Sequence, residues 1–99
     1  MMTNRVLSAE EAADWGIVNR VVADDDVLPA ALELAGSLAS GPTLALGAVK
    51  SLLNESFEHG LEAQMELEAR SIAELSLTSD GQEGIRAFLE KRKPAFKGE

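Results

Sequence analysis

Apolar residues recur every three or four positions along most of this chain, the spacing that collects them on one face of an α-helix. Leu28, Leu32, Ala35 and Leu38 form one such stripe; Leu46, Val49 and Leu53 form a second, widened by Ala45, Ala48 and Leu52. A third and longer one runs through Leu61, Met65, Ala69, Ile72 and Leu75 or Ser76, and a fourth through Ile85, Phe88 and Leu89. The polar residues between the stripes punctuate them. Ser8 with Glu11 three residues on has capping-box spacing, which predicts a short helix from about Ala9 to Trp15 with Gly16 as its stop. Ile17–Val22 is rich in β-branched residues and reads as a short strand, which must either pair with something outside this chain or pack as an extended segment.

The second helix follows Asp24, Asp25 and Asp26, whose charges suit a helix N-terminus, and it carries Pro29 in its first turn. Gly41-Pro42 ends it. A third helix begins near Thr43 and loses its pattern at Asn54–Ser56; a fourth spans about Glu58 to Leu77. Ser79-Asp80-Gly81 reads as a turn that caps a last helix, Gln82–Lys93, stopped by Pro94. The prediction is a mainly α single domain over residues 1–99, with about five helices and one short N-terminal extended segment.

Composition narrows the class. The 99 residues are 45% hydrophobic, and the only aromatics are Trp15, Phe57, Phe88 and Phe96, so a core here is built from Leu, Ala, Val and Ile. At this size such a core leaves a thin stability margin, and a partner surface would help. The absence of cysteine excludes disulfides and thiolate metal sites and fits a cytoplasmic protein. No apolar run is long enough to span a bilayer, and Met1–Ser8 lacks the apolar core of a secretion signal. Net charge −8 argues against nucleic-acid binding. Yet five of the nine basic residues, Arg86, Lys91, Arg92, Lys93 and Lys97, crowd the C-terminal end. They are either an anion site or a set of cations complementing a helix C-terminus.

Few residues suggest chemistry by themselves. His59 is the single histidine, beside Gly60 at the predicted start of the fourth helix, with no metal-binding pattern around it. The Asp24–Asp26 run lacks the calcium-loop pattern and reads as a cap. No nucleophile elbow or phosphate loop is present. Glu68 falls on or beside the apolar stripe, three residues after Met65; it is either an acid/base group or half of a structural ion pair with an arginine.

Three stretches carry a resemblance. LSAEEAADWGIVNRVV (Leu7–Val22), SGPTLALGAVKSLLN (Ser40–Asn54) and TSDGQEGIRAFLEKRKPAFKG (Thr78–Gly98) resemble, in order and spacing, the C-terminal part of the enoyl-CoA hydratase/isomerase (crotonase) family. The resemblance implies the helical region that follows a spiral core of ββα units, in proteins that form trimers or dimers of trimers. It implies that the oxyanion-hole amides and proton-shuttling acids lie upstream of the matching segment, so no catalytic residue and no metal ligand is carried over, and the segment alone is inactive. No cofactor is implied beyond the coenzyme A thioester substrate. By the same resemblance, Phe88 and Lys91 match the substrate-binding aromatic and lysine of the C-terminal helix. Lys91 then meets a phosphate of the CoA nucleotide and Phe88 its adenine end, with Arg92 and Lys93 adding field. For Phe88, simple core packing is the alternative. For the whole chain, a self-associating helical module without acyl-CoA binding and an unrelated small helical domain remain the other readings.

Overall fold

A computed structural model describes residues 4–99; the reading of Met1–Ser8 as free of a secretion signal lies partly outside them. Five α-helices are present among the described residues: α1 (Ala9–Asp14), α2 (Val27–Ala39), α3 (Thr43–Glu55), α4 (Leu61–Ser76) and α5 (Ser79–Leu89). None is long and apolar enough on its own to cross a membrane. The chain divides into two compact units, one reaching Glu33 and one running from Leu34 to Glu99, with the division inside α2.

The first unit is organised by the cap that its sequence announces. The Ser8 hydroxyl accepts from the Glu11 amide at 3.2 Å, and the Glu11 carboxylate accepts from the Ser8 amide at 3.2 Å, so two otherwise orphaned donors at the start of α1 are satisfied. Arg5 pairs with the same carboxylate, and its guanidinium lies 5.7 Å from the centre of the Trp15 ring. α1 ends where Gly16 turns left-handed at φ +71°. The Gly16 amide then reaches the Ala13 carbonyl at 2.9 Å, and the Ile17 amide reaches Ala12 at 2.8 Å.

That ending overturns the strand predicted at Ile17–Val22. The Ile17 and Val18 amides both turn back to the Ala12 carbonyl, at 2.8 and 3.3 Å. The remainder is bent or extended, and no strand is found among the described residues. β-Branched composition favours extended backbone, but a ladder needs a second strand. The segment bends at Ile17–Asn19 and forms no ladder among the described residues. A 3-10 turn at Asp24–Asp26 then leads directly into α2.

In the second unit α4 packs against both α3 and α5. Ala45 near the start of α3 and Leu75 near the end of α4 line one groove, and the Gln64 side-chain amide donates to the Leu52 carbonyl at 3.3 Å, so α3 and α4 run antiparallel. The short connection Ser56–Gly60 begins with a turn that prolongs α3, since the Glu58 amide donates to Glu55. For this reason α4 starts at Leu61, three residues after the expected Glu58, and the exposed His59 sits in the connection rather than in a first helical turn.

The junction between α4 and α5 turns on one hydroxyl. Thr78 Oγ1 donates to the Leu75 carbonyl at 2.7 Å and accepts from the Gly81 amide at 3.0 Å, closing one helix and opening the next. α5 therefore begins at Ser79, and Ser79-Asp80-Gly81 is its first turn rather than a cap preceding Gln82. Gly81 is dictated by space: a β-carbon there would lie 2.1 Å from the Leu75 carbonyl oxygen.

The apolar stripes keep the predicted helical period, but among the described residues Ala87, 1% exposed, is the one apolar residue classed as buried. Leu46, Val49 and Leu53 on α3, Leu61, Met65 and Ile72 on α4, and Ile85, Phe88 and Leu89 on α5 are all exposed. Their faces are formed and left uncovered by this segment.

Gly81→Ala should destabilise the fold by roughly 2–3 kcal/mol, because the clash is with backbone that cannot turn aside. Gly84→Ala, whose added carbon would meet only the Phe96 ring, at 3.7 Å, should change stability by less than about 1 kcal/mol. Urea unfolding of the two variants compares them directly, and equal losses would contradict this account of Gly81.

Candidate functional site

The cationic end of the chain is held by two carboxylates three residues apart on α5. Asp80, 4% exposed, accepts from the amides of Lys97 at 2.7 Å and Gly98 at 2.9 Å, while its own amide donates to the Glu99 carbonyl at 2.7 Å. Glu83 accepts from both terminal nitrogens of Arg92, at 2.6 and 2.9 Å, and from the Ala95 amide at 2.9 Å. Charged acceptors meeting several donors make strong, directional bonds, and here they fold the tail back along the helix that precedes it. Gly98 is left-handed at φ +79°, and a β-carbon on it would stand 2.7 Å from Thr43 Oγ1, so the last turn of the tail also requires glycine.

The electrostatics arise from the contacts. The bond to Arg92, then the Ala95 amide, lower the Glu83 carboxyl from its ordinary 4.5 to about 2. Arg92 is driven further into its charged form by Glu83 and then by Glu90, whose carboxylate accepts from Nε at 2.6 Å. Its charge is thus matched inside the motif, which removes Arg92 from the set of free cations expected to add field around an anion.

Phe88 lies in the last turn of α5 and Lys91 just beyond its end. α5 stops at Leu89, four residues before the expected Lys93 and well before Pro94, because Lys91 adopts a left-handed backbone at φ +53°. The Lys91 amide donates to the Phe88 carbonyl at 3.2 Å, and the Arg92 amide to Ala87 at 3.0 Å, satisfying the last carbonyls of the helix. Phe88 is 83% exposed, so it does not pack into a core within this segment. Lys91 is exposed and forms no ion pair among the described residues. A cation and an aromatic ring stand free at one helix end, where the cation also complements the macrodipole.

The other residues singled out in the sequence lie elsewhere. Glu68 is exposed and accepts from the Gln64 amide at 3.0 Å; its partner is a glutamine one turn back rather than an arginine, and Arg70 pairs instead with Glu66 at 2.8 Å. That Asp80 and Glu83 hold the tail is what motif reading missed. Arg92 is nine positions from Glu83, a separation that has no meaning on a continuous helix and becomes a contact only because the chain reverses between them.

A family model described as enoyl-CoA hydratase/isomerase matches residues 1–99. The chain belongs to the enoyl-CoA hydratase/isomerase family. It is 39% identical over 92 residues to a 1,2-epoxyphenylacetyl-CoA isomerase of Escherichia coli K12, covering 93% of this chain and 35% of that protein. A probable enoyl-CoA hydratase of Rhodobacter capsulatus is 42% identical over 92 residues, again 93% of this chain and 36% of the relative. Among solved structures, an enoyl-CoA hydratase subunit of Geobacillus kaustophilus superposes with a TM-score of 0.93 at 40% identity, over 98% of this chain and 38% of that one. The segment spans little more than a third of the enoyl-CoA hydratase/isomerase relatives it matches, and corresponds to their C-terminal portion. Its five helices are therefore the helical C-terminal region of a crotonase fold.

Because the folded-state value of Glu83 is depressed, its contribution to stability is full above pH 4.5 and is lost as pH falls toward about 2. A carboxyl-detected NMR titration should place the Glu83 midpoint well below those of the exposed glutamates, with Ala95 amide protection lost over the same interval. A Glu83 midpoint near 4.5 would show that the pair with Arg92 is absent in solution.

Proposed function

We propose that this segment is the helical closing element of an acyl-CoA-processing protein of the enoyl-CoA hydratase/isomerase family. The observation that carries the proposal is that Lys91 and an 83% exposed Phe88 are both free at the end of α5, in a chain whose relatives bear acyl-CoA enzyme names. Lys91 supplies a cation to a phosphate of the CoA nucleotide, and Phe88 an apolar face to its adenine end. The uncovered faces of α3, α4 and α5 build contacts with the remainder of the protein and with further subunits of a homo-oligomer. The acyl-CoA thioester is the substrate, no other cofactor is called for, and a cysteine-free chain suits the cytoplasm.

In this reading the segment holds the remote end of the substrate and does no bond chemistry. Stabilising a thioester enolate takes donors placed where negative charge develops, with positioned acids and bases to move the proton. The α5 end offers one flexible ammonium and a ring. Residues 1–99 alone should therefore show no turnover of crotonyl-CoA above background in a hydration assay. A second reading, a self-associating helical module without acyl-CoA binding, is favoured by the same exposed faces, with Phe57 at 96% and Leu61 at 76% exposure.

Lys91→Ala separates the two readings when the segment is joined to a family core. If Lys91 meets a CoA phosphate, KM should rise about 5- to 30-fold with kcat little changed, since a contact far from the reacting carbons is made alike in ground and transition states. The effect should shrink in high salt and be absent for a pantetheine thioester lacking the nucleotide. Equal loss of kcat on both substrates would assign Lys91 to folding or assembly and remove it from the CoA site.

A further inference from the structure

The left-handed backbone at Lys91 requires a cause. A residue with a β-carbon enters that region at a cost in free energy, and α1 solves the same problem with Gly16, at φ +71° against +53° for Lys91. The residues just beyond Lys91 supply the cause. Arg92 reaches both carboxylate oxygens of Glu83, nine residues back, and Ala95 donates to the same group. A chain leaving α5 can return to Glu83 only by reversing at the helix end, and one left-handed residue is the shortest such reversal. The pair between Arg92 and Glu90 is local and needs no reversal, and Asp80 holds the tail only from Lys97 onward. A glycine would make the turn at lower cost but would carry no cation.

We propose that Glu83 is a positioning residue. By holding Arg92 and Ala95 it imposes the left-handed turn at Lys91 and so fixes the backbone from which the Lys91 ammonium reaches the CoA nucleotide. Glu83 itself touches no substrate. Its carboxylate meets Arg92 through both oxygens, a two-pronged geometry that a single-point surface contact lacks. The proposal rests on the assignment of Lys91 to a CoA phosphate, and a strained residue at a functional position is what that assignment would produce.

The test uses the segment joined to a family core, with Glu83→Gln, Lys91→Ala, Lys91→Gly and the double variants. Glu83→Gln should raise KM for the CoA thioester about 3- to 10-fold, leave kcat within about twofold, and leave the pantetheine thioester unaffected. Combined with Lys91→Ala it should add little, since both remove one contact. Lys91→Gly should raise the urea midpoint, and that gain should shrink in the Glu83→Gln background, where the turn is no longer imposed. If Glu83→Gln fails to fold, Arg92→Lys replaces it, because it keeps the charge, loses the two-pronged pair and should give the same pattern. A KM that responds to Lys91→Ala but not to Glu83→Gln overturns the proposal, as does a gain from Lys91→Gly that is equal in both backgrounds. A KM indifferent to Lys91→Ala, with Glu83 and Lys91 still coupled in stability, overturns the CoA reading and not the origin of the turn.

Discussion

The carboxylates of Asp80 and Glu83 hold the C-terminal tail of this segment against α5. They lie three residues apart on α5 and between them gather three backbone amides and a guanidinium group: the amides of Lys97 and Gly98 for the first, the Ala95 amide and Arg92 for the second. Without them the residues after Lys93 have no reason to return to α5, since Phe96 alone, half-buried beside Gly84, offers little apolar area. The helices are otherwise organised by caps and by close backbone approach at Gly81. This is a construction from directional polar contacts, and it leaves the apolar faces free.

Those free faces are what the proposed attachment to a family core rests on. An amphipathic helix gains most of its stability by covering its apolar face, and a helix hairpin with a single buried alanine covers little. The matching relatives are almost three times as long as the matched portion. Polar self-clamping at one end and apolar exposure along the faces coexist: the clamp fixes the tail against α5, and the faces stay uncovered.

Legibility from the sequence divides along the same physical line. Local signals are legible because their physics is local: Ser8 with Glu11 as a capping box, Gly16 as a left-handed stop, the helical period of every stripe. The errors come from partners that only three dimensions supply. Ile17–Val22 has strand composition and no strand beside it, so the amides of its first two residues go to Ala12 instead. The sequence pattern places α5 too late at both ends because Thr78 rather than Ser79-Asp80-Gly81 is its cap, and because Lys91, with no glycine to signal it, makes the turn. Glu68 looks buried on paper because an apolar stripe is assumed to be covered. The family resemblance points to Phe88 and Lys91, and it does so from a stretch in which Asp80, Glu83 and Arg92 hold the tail and Gly81 packs the α4–α5 junction.

Whether the apolar faces are an attachment surface is the central question, and sedimentation of residues 1–99 over a concentration series, with a hydrophobic dye present, addresses it most directly. The account predicts association that grows with concentration together with dye binding, because unpaired apolar patches of this extent are not stable in water, and the loss of both once the segment is joined to a family core. A compact monomer that binds no dye at any concentration would contradict it.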